Sequence, residues 1–177
     1  MTADVLFPTS ADEAASLYGD GEGITVFAGG TILLPEIAAP PDQVWKRLLD
    51  YKFVASVAPG VESVEAVDDR HFKVVAGVGV GSVKVKFQID VELSDVVPPK
   101  RLTLSAHGKA PGSALDVRTA LEVEPVAPNR SRLRWDATSE VRGTVASVGA
   151  RLLKGTAKKL TEGFWQAFAK RVGERAT

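Results

Sequence analysis

The chain has 177 residues, of which 45% are hydrophobic and 25% are charged; these proportions are typical of a globular domain and exclude a disordered or fibrous protein. The 22 basic and 22 acidic residues give a formal net charge of zero, which argues against a dedicated nucleic-acid-binding protein, because such a protein needs a broad basic field. The chain has no cysteine, so disulfides, thiolate metal sites and a cysteine nucleophile are excluded.

The sequence predicts neither an export signal nor a membrane span. The first residues, Met1–Asp4, lack the basic and apolar regions of a secretory signal. The longest apolar stretch, Ile24–Pro35, is shorter than the ~20 residues that cross a bilayer, and Gly29 and Gly30 interrupt it. We therefore expect a cytoplasmic protein, with any membrane contact peripheral and at the inner face of the cell membrane.

The start of the chain predicts a short helix and two strand-like pieces. Ser10–Tyr18 has an N-cap residue and good helix formers, and it stops at a glycine-rich run. Ile24–Phe27 and Thr31–Ile37 are apolar and β-branched, and the glycine pair between them permits the positive φ angles of a turn. We place an N-terminal extension at residues 1–30 and the main domain at residues 31–177.

Two short helices and two strands are predicted next. Pro40–Asp50 opens with proline and places apolar residues at helical spacing, and Tyr51–Ala58 continues as a second helix until Pro59-Gly60 breaks it. Val61–Val67 and Phe72–Val80 are strand-like. The second of these strands is rich in glycine, which permits the bending of a strongly curved sheet.

The clearest strand signal is the alternation over residues 83–93. Apolar residues at the odd positions alternate with lysine, glutamine, aspartate and glutamate at the even positions, which indicates a strand with one buried and one solvated face. Arg101–Ala106, Ser113–Val123 and Arg130–Glu140 extend the series through short turns. We expect these strands to pair antiparallel.

A long amphipathic helix of about seven turns is predicted over Thr144–Val172, because a stripe from Val148 to Phe168 with a spacing of four residues is apolar at every position except Thr156. The apolar members of this stripe are Val148, Leu152, Leu160, Phe164 and Phe168. Strands followed by a long terminal helix predict an α+β fold in which the helix packs across the sheet.

Several short motifs follow one another in order from Ala38 to the terminal helix. They are Ala39–Trp45, Leu49-Asp50, Ala58–Glu62, Val78–Phe87, Gly108-Lys109 and Val148–Leu153. In order and spacing they resemble the CoxG family of carbon monoxide dehydrogenase proteins, which belongs to the helix-grip superfamily (SRPBCC) together with START and Bet v 1 domains. The resemblance implies a curved antiparallel sheet wrapped around the long C-terminal helix, with two short helices after the first strand of the sheet. Family members often carry a tail and an apolar membrane anchor after this helix, and neither follows it in this sequence.

A second resemblance covers only the first 35 residues. Phe7–Ser10, Glu13–Ala15 and Ala28–Thr31 are similar to the start of the FAD-binding subunits of molybdenum hydroxylases. In those subunits the Ala-Gly-Gly-Thr loop helps to hold the FAD pyrophosphate, as backbone N–H groups exposed by glycines can do. The rest of that FAD domain is missing here, so we interpret the segment as a fusion remnant or a borrowed first strand and expect no FAD.

A helix laid across a concave sheet leaves interior space that side chains do not fill, and folds of this type resemble apolar ligand pockets. We expect apolar residues of the strands and of the helix to line such a pocket, with an ordinary core position as the alternative for each of them. The candidate lining residues are Phe87, Ile89, Leu115, Val117, Leu133, Trp135, Val148, Leu152, Leu160 and Phe164.

Few polar residues in the sequence are candidates for a functional site. His71 and His107 are the only histidines, and neither has the spacing of a catalytic triad or a metal cluster. Both suit surface or strand-end positions, and His107 is alternatively a polar contact to a ligand head group or a partner. No pair of carboxylates suggests general acid–base catalysis, so we name no catalytic residue and no metal ligand.

The terminal helix also has a basic side, which is interpreted first as a solvated face and alternatively as a surface for anionic lipid or an acidic partner. Its basic residues are Arg151, Lys154, Lys158, Lys159, Lys170 and Arg171.

The resemblance implies a non-catalytic accessory protein of a molybdenum hydroxylase such as carbon monoxide dehydrogenase. Such a protein would bind a small apolar molecule, a quinone or a lipid, and aid membrane recruitment of the enzyme subunits or electron transfer from them. Two alternatives stay open at this point. One is an enzyme of the polyketide cyclase or hydrolase kind on the same fold, and the other is a protein-docking module whose interior is filled.

Overall fold

A seven-stranded antiparallel sheet and one long helix form most of the structure, which is a computed structural model that describes residues 24–33 and 36–175. The elements follow the chain in the order β1 (Ile24–Leu33), α1 (Pro41–Leu49), α2 (Tyr51–Val57), β2 (Val61–Ala66), β3 (His71–Val80), β4 (Val83–Val97), β5 (Arg101–Ala110), β6 (Ser113–Ala127), β7 (Arg130–Gly143) and α3 (Ala150–Arg175).

The strands lie in the spatial order β1-β7-β6-β5-β4-β3-β2, and every neighbouring pair is antiparallel. Strands β2 to β7 are joined in sequence by short turns, as hairpin-forming strands should be. Strand β1 comes from the other end of the chain and adds to the edge formed by β7. The helix α3 contacts β1, β3 and both short helices, so the sheet and the short helices grip it. This arrangement confirms the predicted α+β helix-grip fold.

Strand β1 differs from the prediction of two pieces around a turn. It is one strand that pairs with β7, and the glycine pair falls within the register shift between Ala28 and Ile32. Glycine accommodates such an irregularity as readily as a turn, because it lacks a Cβ atom. The proposed boundary at residue 30 falls inside this strand. The predicted helix Ser10–Tyr18 lies outside the described residues.

The two short helices form for local reasons. Pro41 occupies the first turn of α1, where its missing N–H group costs nothing, and Val44 and Trp45 are buried. Asp50 ends α1 and caps α2, since its side chain accepts a hydrogen bond of 3.1 Å from the backbone N–H of Phe53. Both helices thereby present apolar residues to the end of the sheet.

The alternation along β4 is confirmed and defines the two faces of the sheet. Phe87 and Leu93 are buried, whereas the two lysines, the glutamine, the aspartate and the glutamate between the odd positions are exposed. We call the face that carries Phe87 the inner face and the opposite face the outer face. The strand register extends this division across β3 to β7, because residues that pair directly across strands point to the same face.

The long helix starts later than predicted. Residues 146–148 form a single 3-10 turn, and Gly149 follows it with a φ of 97°, a conformation that interrupts an α-helix and favours glycine. The α-helical part therefore begins at Ala150 rather than at Thr144. Its buried residues are Leu153, Trp165, Phe168 and Val172.

Candidate functional site

The inner face of the sheet carries no charged side chain on β3 to β7 within the paired register. On β4 the inner positions between Val83 and Leu93 are all apolar, and on β5 they are leucine, alanine and glycine. The hydroxyl-bearing residues among the inner positions of β6 and β7 are Ser113, Thr119, Ser131 and Ser139. A face of this composition suits a neutral apolar molecule and disfavours an ion, because an unpaired charge is costly to bury.

The buried side chains do not form one continuous core. One group, which we call the aromatic cluster, lies where α1, α2 and the C-terminal half of α3 meet the sheet. It comprises Ile37, Ala39, Val44, Trp45, Phe53, Val57, Phe72, Leu93, Leu102, Leu121, Val123, Leu133, Trp165, Phe168 and Val172. A second group, the turn cluster, lies near the β3–β4 turn and the start of α3. It comprises Val80, Phe87, Val141, Val145, Ala146 and Leu153.

Between the two clusters, several apolar residues remain partly exposed although they face the interior. Ala106 and Val117 pair with each other across β5 and β6 on the inner face, and Leu160 lies on the same side of α3 as Leu153. None of the three is packed into either cluster. Inward-pointing apolar residues that pack into neither cluster indicate interior space that side chains do not fill.

The structure distributes the predicted lining residues over these three regions. Those in or against the turn cluster are Phe87, Ile89, Leu115 and Val148. Those in or against the aromatic cluster are Leu133, Trp135 and Phe164. Those between the clusters are Val117 and Leu160. Nine of the ten candidates therefore face or adjoin the interior, with Leu133 fully buried as an ordinary core residue.

Leu152 is the predicted lining residue that the structure does not bring to the interior, because its side chain is 49% exposed. Four residues span about 400° of helix, so a strict i, i+4 stripe winds by about 40° at each step and leaves the buried side. Its neighbour Leu153 is buried in the turn cluster instead.

Trp165 is an interior residue that the stripe misses. It lies three residues before Phe168 and seven before Val172, and this helical spacing is the signal that could have found it.

His107 lies on the outer face, because it pairs across the strands with Asp90 and Asp116, which alternate with inner residues. Its Nδ1–H group donates to the Asp116 carboxylate, and the Arg142 guanidinium donates to the other oxygen of the same carboxylate. The sheet separates this network from the apolar residues of the inner face. His107 is therefore placed for contact with a partner or solvent rather than with a molecule held in the interior.

An open groove of about 690 Å³ crosses the outer face beside this network. The row of residues between its two sides, which includes Ala106 and Val117, also lines it. Two outer rows of polar residues flank it: His71, Lys73, Asp90, Glu92, Ser105, His107, Asp116, Arg118, Thr138 and Glu140. At one end of the groove, the backbone N–H of Arg70 and then the imidazole of His71 lower the pKa of Asp68 from its ordinary value. Acidic and basic groups are interleaved throughout, so the groove shows no single charge that would select a ligand.

The comparisons with known proteins agree with this geometry. Residues 35–173 match the family model that describes the carbon monoxide dehydrogenase subunit CoxG. The chain belongs to the CoxG family. No curated protein sequence matches the chain.

Solved structures similar to this CoxG family member share its fold. A conserved protein from Geobacillus kaustophilus is 24% identical with a TM-score of 0.75, over 88% of this chain and 97% of that chain. The Zhui aromatase/cyclase from Streptomyces sp. R1128 is 18% identical with a TM-score of 0.62, over 88% and 96% of the two chains. A START superfamily protein from Mycobacterium smegmatis is 14% identical with a TM-score of 0.62, over 89% and 100%. Family and fold together support a ligand-binding helix-grip protein.

No helix within the described part of this CoxG protein combines the length and the apolar character that crossing a bilayer requires. The basic side of α3 instead faces solvent, since Arg151, Lys154, Lys158 and Lys159 are all exposed.

Proposed function

We propose that this CoxG family member is a non-catalytic accessory protein that binds a quinone or a lipid in the interior between the aromatic cluster and the turn cluster. The observation that carries the proposal is an inner face of β3 to β7 without charged residues, together with three central apolar residues that pack into neither cluster: Ala106 and Val117 of the sheet and Leu160 of α3. An apolar molecule placed there would be held by burial, which contributes ~25 cal/mol per Å² of apolar surface. It would need few polar contacts.

The proposed enzyme system is a molybdenum hydroxylase of the carbon monoxide dehydrogenase kind. The family description names that enzyme, and the similarity of Ala28–Thr31 and its surroundings to FAD-binding subunits of the same enzymes supports the link independently. In this role the protein carries a redox-active or lipid molecule for the enzyme subunits. Recruitment to a membrane surface is part of the proposal and is supported by the exposed basic side of α3.

The experiment that tests this function is native mass spectrometry of the purified chain, followed by organic extraction and identification of the released molecule. Near-stoichiometric quinone or lipid would support the carrier role. A chain that is empty, and that also fails to bind added quinones and lipids, would contradict it.

An enzyme of the cyclase kind is the second candidate, because the Zhui aromatase/cyclase has the same fold over almost its whole length. Such an enzyme needs a polar group that faces its substrate and exchanges a proton. Both histidines line the outer groove, and the polar groups on the inner face of β6 and β7 are hydroxyls and the indole of Trp135. These placements favour binding over catalysis. Turnover of an aromatic polyketide by the purified chain would reverse this preference.

A further inference from the structure

Two tryptophan side chains at the aromatic cluster have indole N–H groups that are shielded from solvent and lack a hydrogen-bond partner within the described part of the chain. They belong to Trp135 on β7 and Trp165 on α3. The two rings are 5.8 Å apart between centroids and meet at 65°. Trp165 is only 6% exposed. The two indole rings therefore pack against each other between the sheet and the helix.

Unpaired buried donors are rare in folded proteins and call for a cause. Packing alone does not require an indole here, since the same cluster uses phenylalanine at Phe53, Phe164 and Phe168. Tryptophan N–H groups usually find a partner when they are buried. The edge-on contacts of Trp165 with Phe164 and Phe168 offer at most a weak N–H to ring interaction.

We propose that the Trp135 and Trp165 indoles donate hydrogen bonds to a neutral carbonyl oxygen of the molecule bound in the interior. The inference rests on the proposed function and specifies its ligand chemistry. A carboxylate or phosphate is disfavoured, because the inner face of β3 to β7 provides no cation to balance it. A carbonyl group on an apolar ring or chain accepts hydrogen bonds without carrying a charge.

The test compares three probes of similar size: decylubiquinone, which has ring carbonyls; monoolein, which has an ester carbonyl; and dodecylbenzene, which has none. Binding to the full chain is measured by titration for the wild type, Trp135→Phe and Trp165→Phe. Trp45→Phe is the matched control, because Trp45 on α1 is as buried as Trp165, whereas its indole N–H is not among the shielded, unpaired donors of the described residues. Replacing tryptophan with phenylalanine removes ring atoms as well as the N–H group, so dodecylbenzene, which accepts no hydrogen bond, measures the loss of packing in each variant. In each interior variant, we expect the affinity for decylubiquinone to fall about 3- to 10-fold more than the affinity for dodecylbenzene, as loss of one hydrogen bond does.

A second measurement separates a hydrogen bond from packing. The infrared carbonyl stretch of bound decylubiquinone should lie at lower frequency than that of the free molecule, and it should shift back in Trp135→Phe or Trp165→Phe. Monoolein shows whether an ester carbonyl is recognised in the same way. Affinities and carbonyl frequencies that are the same in the wild type and in both variants would overturn the inference while leaving the carrier function intact. A wild-type chain that binds none of the three probes would overturn both.

Discussion

Gly143 ends β7 at a point where no other residue fits. Its φ is 85°, and a Cβ atom at this position would overlap the carbonyl oxygen of Gly112 in the β5–β6 turn. The backbone N–H of Thr144 donates to that same carbonyl over 2.9 Å, so the contact also positions the segment that leads into α3. The close approach of two backbones is therefore a requirement of the fold at the end where the turn cluster lies.

Gly143→Ala should lower the free energy of unfolding by ~2–3 kcal/mol, the range expected when a residue with a side chain is held in a left-handed conformation against backbone. Gly155→Ala is the matched control, because Gly155 lies within α3 and has open space around it. That substitution should raise stability by ~0.5–1 kcal/mol. Urea unfolding of both variants measures the difference. Equal stabilities for Gly143→Ala and the wild type would show that the β5–β6 turn yields to accommodate the new methyl group.

Single residues also show what the sequence could and could not indicate. The two-residue turn Pro111-Gly112 pairs Ala110 with Ser113, and counting outwards places His107 opposite Asp116. The outer position of His107 was therefore readable from the sequence. The unpaired indoles were not, because the partner of a buried donor is decided by residues that are distant in the chain.

Among the elements, β4 was the most predictable, because its alternation reports burial on one face at each position. The exposure of Leu152 and burial of Leu153 were harder to foresee, since both are apolar and the side of α3 that is buried depends on how the helix lies across the sheet. The division of the interior into two clusters is equally non-local. It arises from side chains on five strands and three helices that no single periodicity relates.

The exposed side of α3 yields a prediction about membrane surfaces. Residues 141–161 contain no acidic residue, and Lys154 and Lys158 project from the helix into solvent, whereas Leu153 is buried. Each basic residue close to an anionic bilayer contributes ~1 kcal/mol to binding. Lys154→Glu together with Lys158→Glu should therefore weaken binding to vesicles that contain phosphatidylglycerol at least ~30-fold, as measured by co-sedimentation at low salt.

The matched control is the double variant Lys73→Glu and Lys100→Glu. It changes the net charge by the same amount, at two exposed positions outside α3. These two substitutions should change vesicle binding much less than those on the helix. If both pairs weaken binding equally, the attraction depends on net charge rather than on this face. If the wild type does not bind anionic vesicles, α3 is a solvated face and the membrane part of the proposed function is wrong.

For the whole molecule, the question is whether the two clusters are separated by space that a ligand fills. A ligand at 100 times its dissociation constant stabilises a protein by ~2.7 kcal/mol, and for a chain of this size each kcal/mol raises the melting temperature by ~2–4 °C. Decylubiquinone at that excess should therefore raise the melting temperature by about 5–10 °C. A protein-docking module with a filled interior would show no such shift.

Ala106→Phe tests the same space by filling it with a side chain. Ala106 lies on the inner face and packs into neither cluster, so a phenyl ring there should occupy the space and leave the empty chain as stable as the wild type or more so. The same substitution should abolish the shift caused by decylubiquinone. Ala76→Phe is the matched control, because Ala76 lies on the inner face with only 7% exposure. A phenyl ring at that packed position should cost ~1–3 kcal/mol. If Ala106→Phe destabilises the chain as much as Ala76→Phe does, the interior is already filled, and a docking surface rather than a carried molecule must explain the function.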